Sequence, residues 1–129
     1  MHRIIFAAFG AAALAGCSAA QSTYELSVAE AQERLVNGTY EKGSIKGFSN
    51  HNITPRSVNE GRIEWQIRMD DGTTGFRCET LLGPANVEGT QAHVVSQCFD
   101  HRGKSDDMYI EGARRSLERL IAANLAGKP

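Results

Sequence analysis

Beyond residue 16 the chain has no apolar run that approaches the roughly 20 residues a bilayer span requires, so its body holds no candidate membrane helix. It also has no surplus of charge: 14 Lys and Arg stand against 15 Asp and Glu, a formal net charge of −1. That balance argues against a general nucleic-acid or acidic-lipid surface. Cysteine is scarce, with three residues and no close C-x-x-C spacing of a redox pair. No serine lies in a nucleophile-elbow pattern, and no glycine-rich loop is suited to cradle phosphate. No histidine pair has the short spacing of a metal site. Internal repeats and low-complexity tracts are absent from the body of the chain. These absences point away from catalysis, cofactors and metals. The 41% hydrophobic and 22% charged residues are ordinary for a globular domain.

What is present begins at the N-terminus. His2 and Arg3 precede Ile4-Ile5-Phe6-Ala7-Ala8-Phe9-Gly10-Ala11-Ala12-Ala13, and Leu14-Ala15-Gly16-Cys17 closes the run. A basic start, a short apolar run and small residues before a cut site are the order of a secretory signal. The last four closely resemble the lipobox of bacterial lipoproteins, in which a diacylglyceryl group is attached to the cysteine before the signal is cut. The resemblance covers about the first 18 residues. It implies that residues 1–16 are removed and that Cys17 becomes the lipid-bearing first residue. With Ser18 following, it also implies passage to an outer membrane, facing the periplasm of a Gram-negative envelope. Buried acyl methylenes stabilise such an anchor by about 0.8 kcal/mol each.

The expected organisation is a signal peptide at 1–16, a lipidated flexible tether at 17–23, and one domain at 24–129. About 113 residues suffice for a single core. With Cys17 taken by lipid, Cys78 and Cys98 remain as an even pair in an exported protein, which favours a disulfide. Closing a loop of about 20 residues stabilises by roughly 3 kcal/mol in the chain-entropy model.

Ser27-Val28-Ala29-Glu30 fits a capping box, with Leu26 positioned to staple onto Ala31. The helix expected there carries Val28, Ala31, Leu35 and Val36 on its apolar side, with a left-handed stop at Asn37-Gly38. Residues 39–52 have no clean period and read as a loop. Residues 53–58 suit an edge strand, because Pro55 has no N–H for a central ladder. Asn59-Glu60-Gly61 then reads as a three-residue hairpin turn. Ile63, Trp65, Ile67 and Met69 alternate with polar residues, as in a half-buried strand. An Asp71-Gly72 turn pairs Asp70 with Thr73, Ile67 with Phe76 and Trp65 with Cys78. A strand at 91–99 returns with Cys78 opposite Cys98 and Leu82 opposite Val94, turning near Glu88-Gly89. It places His93 on the polar face.

The last helix is expected at 105–125, started by Ser105-Asp106-Asp107, with Tyr109, Ala113, Leu117, Ile121 and Leu125 as its stripe and Leu120 widening it. Glu111 and Arg115, and Arg114 and Glu118, are placed on its opposite face, where Arg119 completes an arginine-rich surface. The fold class is α+β: a small antiparallel meander of three or four strands packed against an N-terminal and a C-terminal helix.

Chemistry is thinly signalled. His51, His93 and His101 are expected to be solvated. Asp70-Asp71 and Asp106-Asp107 follow from turn preference and the helix dipole. Trp65 faces the core. Glu64, Gln66, Arg68, Arg77, Glu79, Gln91, His93 and Gln97 compose an outer sheet face suited to a partner or to solvent. The expected function is a lipid-anchored, non-catalytic binding or structural accessory, held to the membrane through Cys17 and meeting an envelope protein. It takes no cofactor, metal or nucleic acid. The alternative is a periplasmic inhibitor or guard protein acting on an envelope-directed hydrolase through residues 39–52. The oligomeric state is not legible in the sequence.

Overall fold

The structure is a computed structural model, and it describes residues 21–45, 51–69, 74–100, 103 and 108–126. The stretch expected to be a signal, Cys17, the expected turn at Asp71-Gly72 with Asp70 and Thr73, His101, and Ser105-Asp106-Asp107 lie outside the described residues. In order the elements are β1 (Gln21–Tyr24), α1 (Val28–Val36), β2 (His51–Asn59), β3 (Arg62–Met69), β4 (Thr74–Pro84), β5 (Ala92–Phe99) and α2 (Met108–Ala126). The strands form one antiparallel sheet in the order β1-β5-β4-β3-β2. The class is α+β as expected, with five strands rather than three or four.

The extra strand is β1. Gln21, Ser22 and Thr23 fall within the stretch expected to be a flexible tether, yet they pair with Val95, Val94 and His93. The reason is non-local. β5 offers an unpaired edge, and backbone bonds to it do not require apolar side chains.

The meander has the registers that turn chemistry and alternation imply. Ile67 faces Phe76, Trp65 faces Cys78, Cys78 faces Cys98, and Leu82 faces Val94. Towards the β3–β4 turn the ladder slips by one, so Arg68 pairs with Thr74 and Gly75 has no opposite residue. A glycine is the residue that tolerates such a bulge most easily. At the β2–β3 turn, Asn59 pairs with Arg62, leaving Glu60-Gly61 as the connection instead of three residues. Gly61 has φ +85°, and a Cβ there would lie 2.8 Å from the Leu82 carbonyl oxygen, so no other residue fits.

Both helices lie on the sheet face that carries Ile63, Trp65, Ile67, Phe76, Cys78, Leu82, Ala92, Val94 and Cys98. Ala31 and Leu35 of α1 join this core, with Ala113, Leu117, Ile121 and Leu125 of α2. The Ser27 hydroxyl caps α1 by accepting from the Glu30 N–H at 3.1 Å. Its stop is not left-handed: Asn37 sits at φ −92°. Space is tight at Gly38, where a Cβ would meet Asn124 Oδ1 and the Tyr40 hydroxyl, each at 2.8 Å, so both side chains would have to shift. That hydroxyl donates to the Leu35 carbonyl at 2.5 Å, and the Tyr40 ring meets Trp65 edge-on at 5.2 Å. In α2 the stripe starts at buried Ile110, while Tyr109 is 64% exposed. Steps of four residues overrun the 3.6-residue turn by about 40° each, so a series anchored on Leu125 has left the buried face by Tyr109.

Candidate functional site

Three surfaces are candidates: the face of the sheet opposite the helices, the β2 edge, and a groove where α1 meets the β2–β3 hairpin.

The outer sheet face carries the expected mixture of polar groups. Gln66, Arg68, Arg77 and Gln97 are exposed there. Arg56 bonds Glu64 at 2.6 Å, and Arg62 pairs with Glu79. The Arg56 guanidinium holds the Glu64 carboxyl below its usual range. Arg77 lies over the Phe99 ring at 5.2 Å. Directly opposed Glu64 and Glu79 each have an arginine neighbour, which relieves the like-charge pair.

The β2 edge is long but interrupted. Cys78 and Cys98 have Cα atoms 3.9 Å apart, the close spacing of a non-hydrogen-bonded pair. The Cys78 backbone groups therefore turn towards β3, and those of Trp65 towards β4. Pro55, opposite Trp65, is left with its nitrogen on the open side. On that side the His51 carbonyl accepts from the Gly43 N–H at 3.0 Å. A proline at an open edge removes one of the donors a foreign strand would use.

The groove measures about 520 Å³ and is lined by residues including Ala29, Gln32, Val36, Ser57, Asn59 and Glu60. Its floor is organised by Gln32. The Gln32 amide donates to Ser57 Oγ at 3.0 Å and the Asn59 carbonyl at 2.8 Å, while its oxygen accepts from the Gly61 N–H at 2.7 Å. Gln32 is buried on the core side of α1, one residue from Ala31. Its role in joining the helix to a hairpin 25 to 30 residues away was not visible in the sequence.

His51 and His93 do not follow the solvated expectation. His51 is fully buried, and its Nε2 accepts from the Ile45 N–H at 3.1 Å, fastening residues 43–45 to the start of β2. His93 faces outward in the β5 pattern, yet it is buried beside Thr23, whose hydroxyl lies 3.1 Å from Nδ1. Strand β1 supplies that neighbour. Burial pushes the His93 pKa below its ordinary 6.5. The two histidines stand at different strands and levels of the sheet.

Trp65 is in the core as expected. Its Nε1–H donates to Thr80 Oγ1 at 2.8 Å, and Thr80 shares a 2.8 Å bond with Ser96 Oγ. Between Ser22, Ser96 and Glu118 is a recess of about 10 Å³, no larger than one water needs. Arg114, placed by sequence on the solvent face, is buried and pairs with both Glu111 and Glu118. Arg115 and Arg119 are exposed. Cys78 and Cys98 form a buried disulfide.

Among the described residues no three His, Cys, Asp or Glu side chains converge as metal ligands, and no helix is long and apolar enough to cross a membrane. Comparison with protein-family models, with curated proteins and with solved structures finds no match to this chain.

Proposed function

We propose that this protein is a lipid-anchored component of a bacterial cell envelope, acting as a non-catalytic binding or structural accessory. The observation that carries the anchor is the run Leu14-Ala15-Gly16-Cys17 behind a short apolar segment. The Cys78–Cys98 disulfide supports an oxidising compartment such as the periplasm. The accessory role is supported by the open sheet face and the shallow groove beside Gln32. An inhibitor acting through residues 39–52 finds less support, because Ile45 and His51 are both buried and tied together.

Two experiments test the reading. Cys17→Ser is expected to block processing and release the protein from the membrane fraction; unchanged processing and partition refute the anchor. A photo-crosslinking residue at Thr54 or at Gln66, opposite one another on the open face, is expected to trap the same envelope protein reproducibly in intact cells. The same probe at Glu30 on α1 serves as the control. Absence of any adduct specific to that face refutes the accessory role.

A further inference from the structure

We propose that the domain rests directly on the bilayer, seated by the sheet end that carries Phe99, Arg77 and Arg68. This inference rests on the lipid at Cys17 proposed above, and adds to it where the folded part must lie.

β1 begins at Gln21, four residues after Cys17. Four residues reach at most about 14 Å when fully extended. Gln21 is already paired into the sheet, opposite Val95 at the middle of β5. A lipid on Cys17 therefore holds the middle of the β1 edge within that distance of the headgroups, leaving no clearance for a freely hanging domain.

Strand direction selects the end that faces down. β1 runs from Gln21, opposite Val95, to Tyr24, opposite Ala92, so it leads away from Phe99. The chain thus enters β1 from the Phe99 side. Four residues of β5 separate Val95 from Phe99, about 13 Å of strand, which matches the reach of the connection. At this end Arg77 and Arg68 are exposed on the outer sheet face, and Arg77 covers the half-buried Phe99 ring. An arginine lying on an aromatic ring suits a headgroup layer, where one side is apolar and the other charged. Asp100 follows Phe99 as a half-buried acid at the same end. The opposite end presents the Glu60-Gly61 turn, Val87 and the groove beside Gln32, and so points into the periplasm.

The test uses the full chain, processed in cells and reconstituted into phosphatidylethanolamine–phosphatidylglycerol vesicles bearing headgroup nitroxides. A fluorescent non-canonical residue replaces exposed Gln66, opposite Arg77, or, separately, Val87, with Gln97 as a second lower-end position, so that Arg77, Arg68 and Phe99 stay in place. Arg77, at the level of Gln66, and Pro84 are seven strand residues apart, roughly 23 Å, so quenching at the lower end is expected to exceed that at Val87 severalfold. Equal quenching, in a protein whose intact mass carries the lipid, overturns the seating and leaves the anchor standing. A mass without lipid overturns both. Inserting 20 Gly-Ser residues between Ala20 and Gln21 gives a coil spanning about 25 Å and is expected to abolish the difference. A difference that survives the insertion overturns the role of the short connection.

Discussion

Thr80 joins two polar groups that the core would otherwise strand. Its hydroxyl accepts from the Trp65 indole and bonds Ser96, with all three side chains buried. Thr80→Val keeps the shape and removes that junction, so a loss of about 2 kcal/mol is expected in urea unfolding, the cost of leaving buried donors unpaired. A change below roughly 0.5 kcal/mol would show that the string contributes nothing net. The alternation in the sequence placed Trp65 and Ser96 on the inner face. It could not show their connection, because the bridging atom comes from a third strand. His93 carries a pH dependence. Its folded pKa lies below its ordinary 6.5, so on acidification the unfolded chain takes up the proton first. Stability is complete above about pH 6.5 and declines as pH falls towards the lowered value. Glu64 and Glu111, held below the usual carboxyl range by Arg56 and Arg114, add a further loss at more acid pH. His93→Gln is expected to flatten the curve just below pH 6.5 while leaving the more acid limb, as read from urea midpoints. An unaltered slope there excludes His93 as the source.

Among the elements, β2 shows how an open edge is protected. Its outward groups at Ile53 and Ser57 flank Pro55, which has no N–H to offer. Pro55→Val supplies the missing donor on a strand that otherwise suits pairing. The expected result is concentration-dependent self-association in sedimentation velocity, greater than in the parent chain, with a circular dichroism spectrum unchanged. Equal sedimentation of the two proteins shows that Pro55 does not guard the edge. Elements with a clean local period were legible: α1 from its cap, β3 from alternation, β5 from its return register. β1 was not, because Gln21-Ser22-Thr23-Tyr24 is too short and polar to show a period, and its partner lies about 70 residues along the chain. Ile110 replaced Tyr109 on α2 because repeated steps of four drift round a 3.6-residue helix. Arg114 lies on the side of the stripe that Ile110, Leu117 and Ile121 form, and two carboxylates compensate its burial.

For the whole molecule, the disulfide links β4 to β5 in the middle of the sheet, across a separation of 20 residues. Reduction, or Cys78→Ala with Cys98→Ala, is expected to lower unfolding free energy by roughly 3 kcal/mol, through a less constrained unfolded chain. A shift in urea midpoint at constant slope reads this out; an unchanged midpoint means that the bond contributes nothing to stability. The sequence alone determined the α+β class, the meander with its core registers, and the pairing of the two cysteines. Alternation, turn residues and helix caps act over a few positions, and one buried face admits one register. Only the tertiary structure decided that the sheet has a fifth strand, that Gln32 joins α1 to the hairpin, and that His51, His93 and Arg114 are buried. Each of these depends on partners brought together by long-range closure, where hydrogen bonds offset the cost of taking a polar group out of water. Such pairings leave no mark on local periodicity.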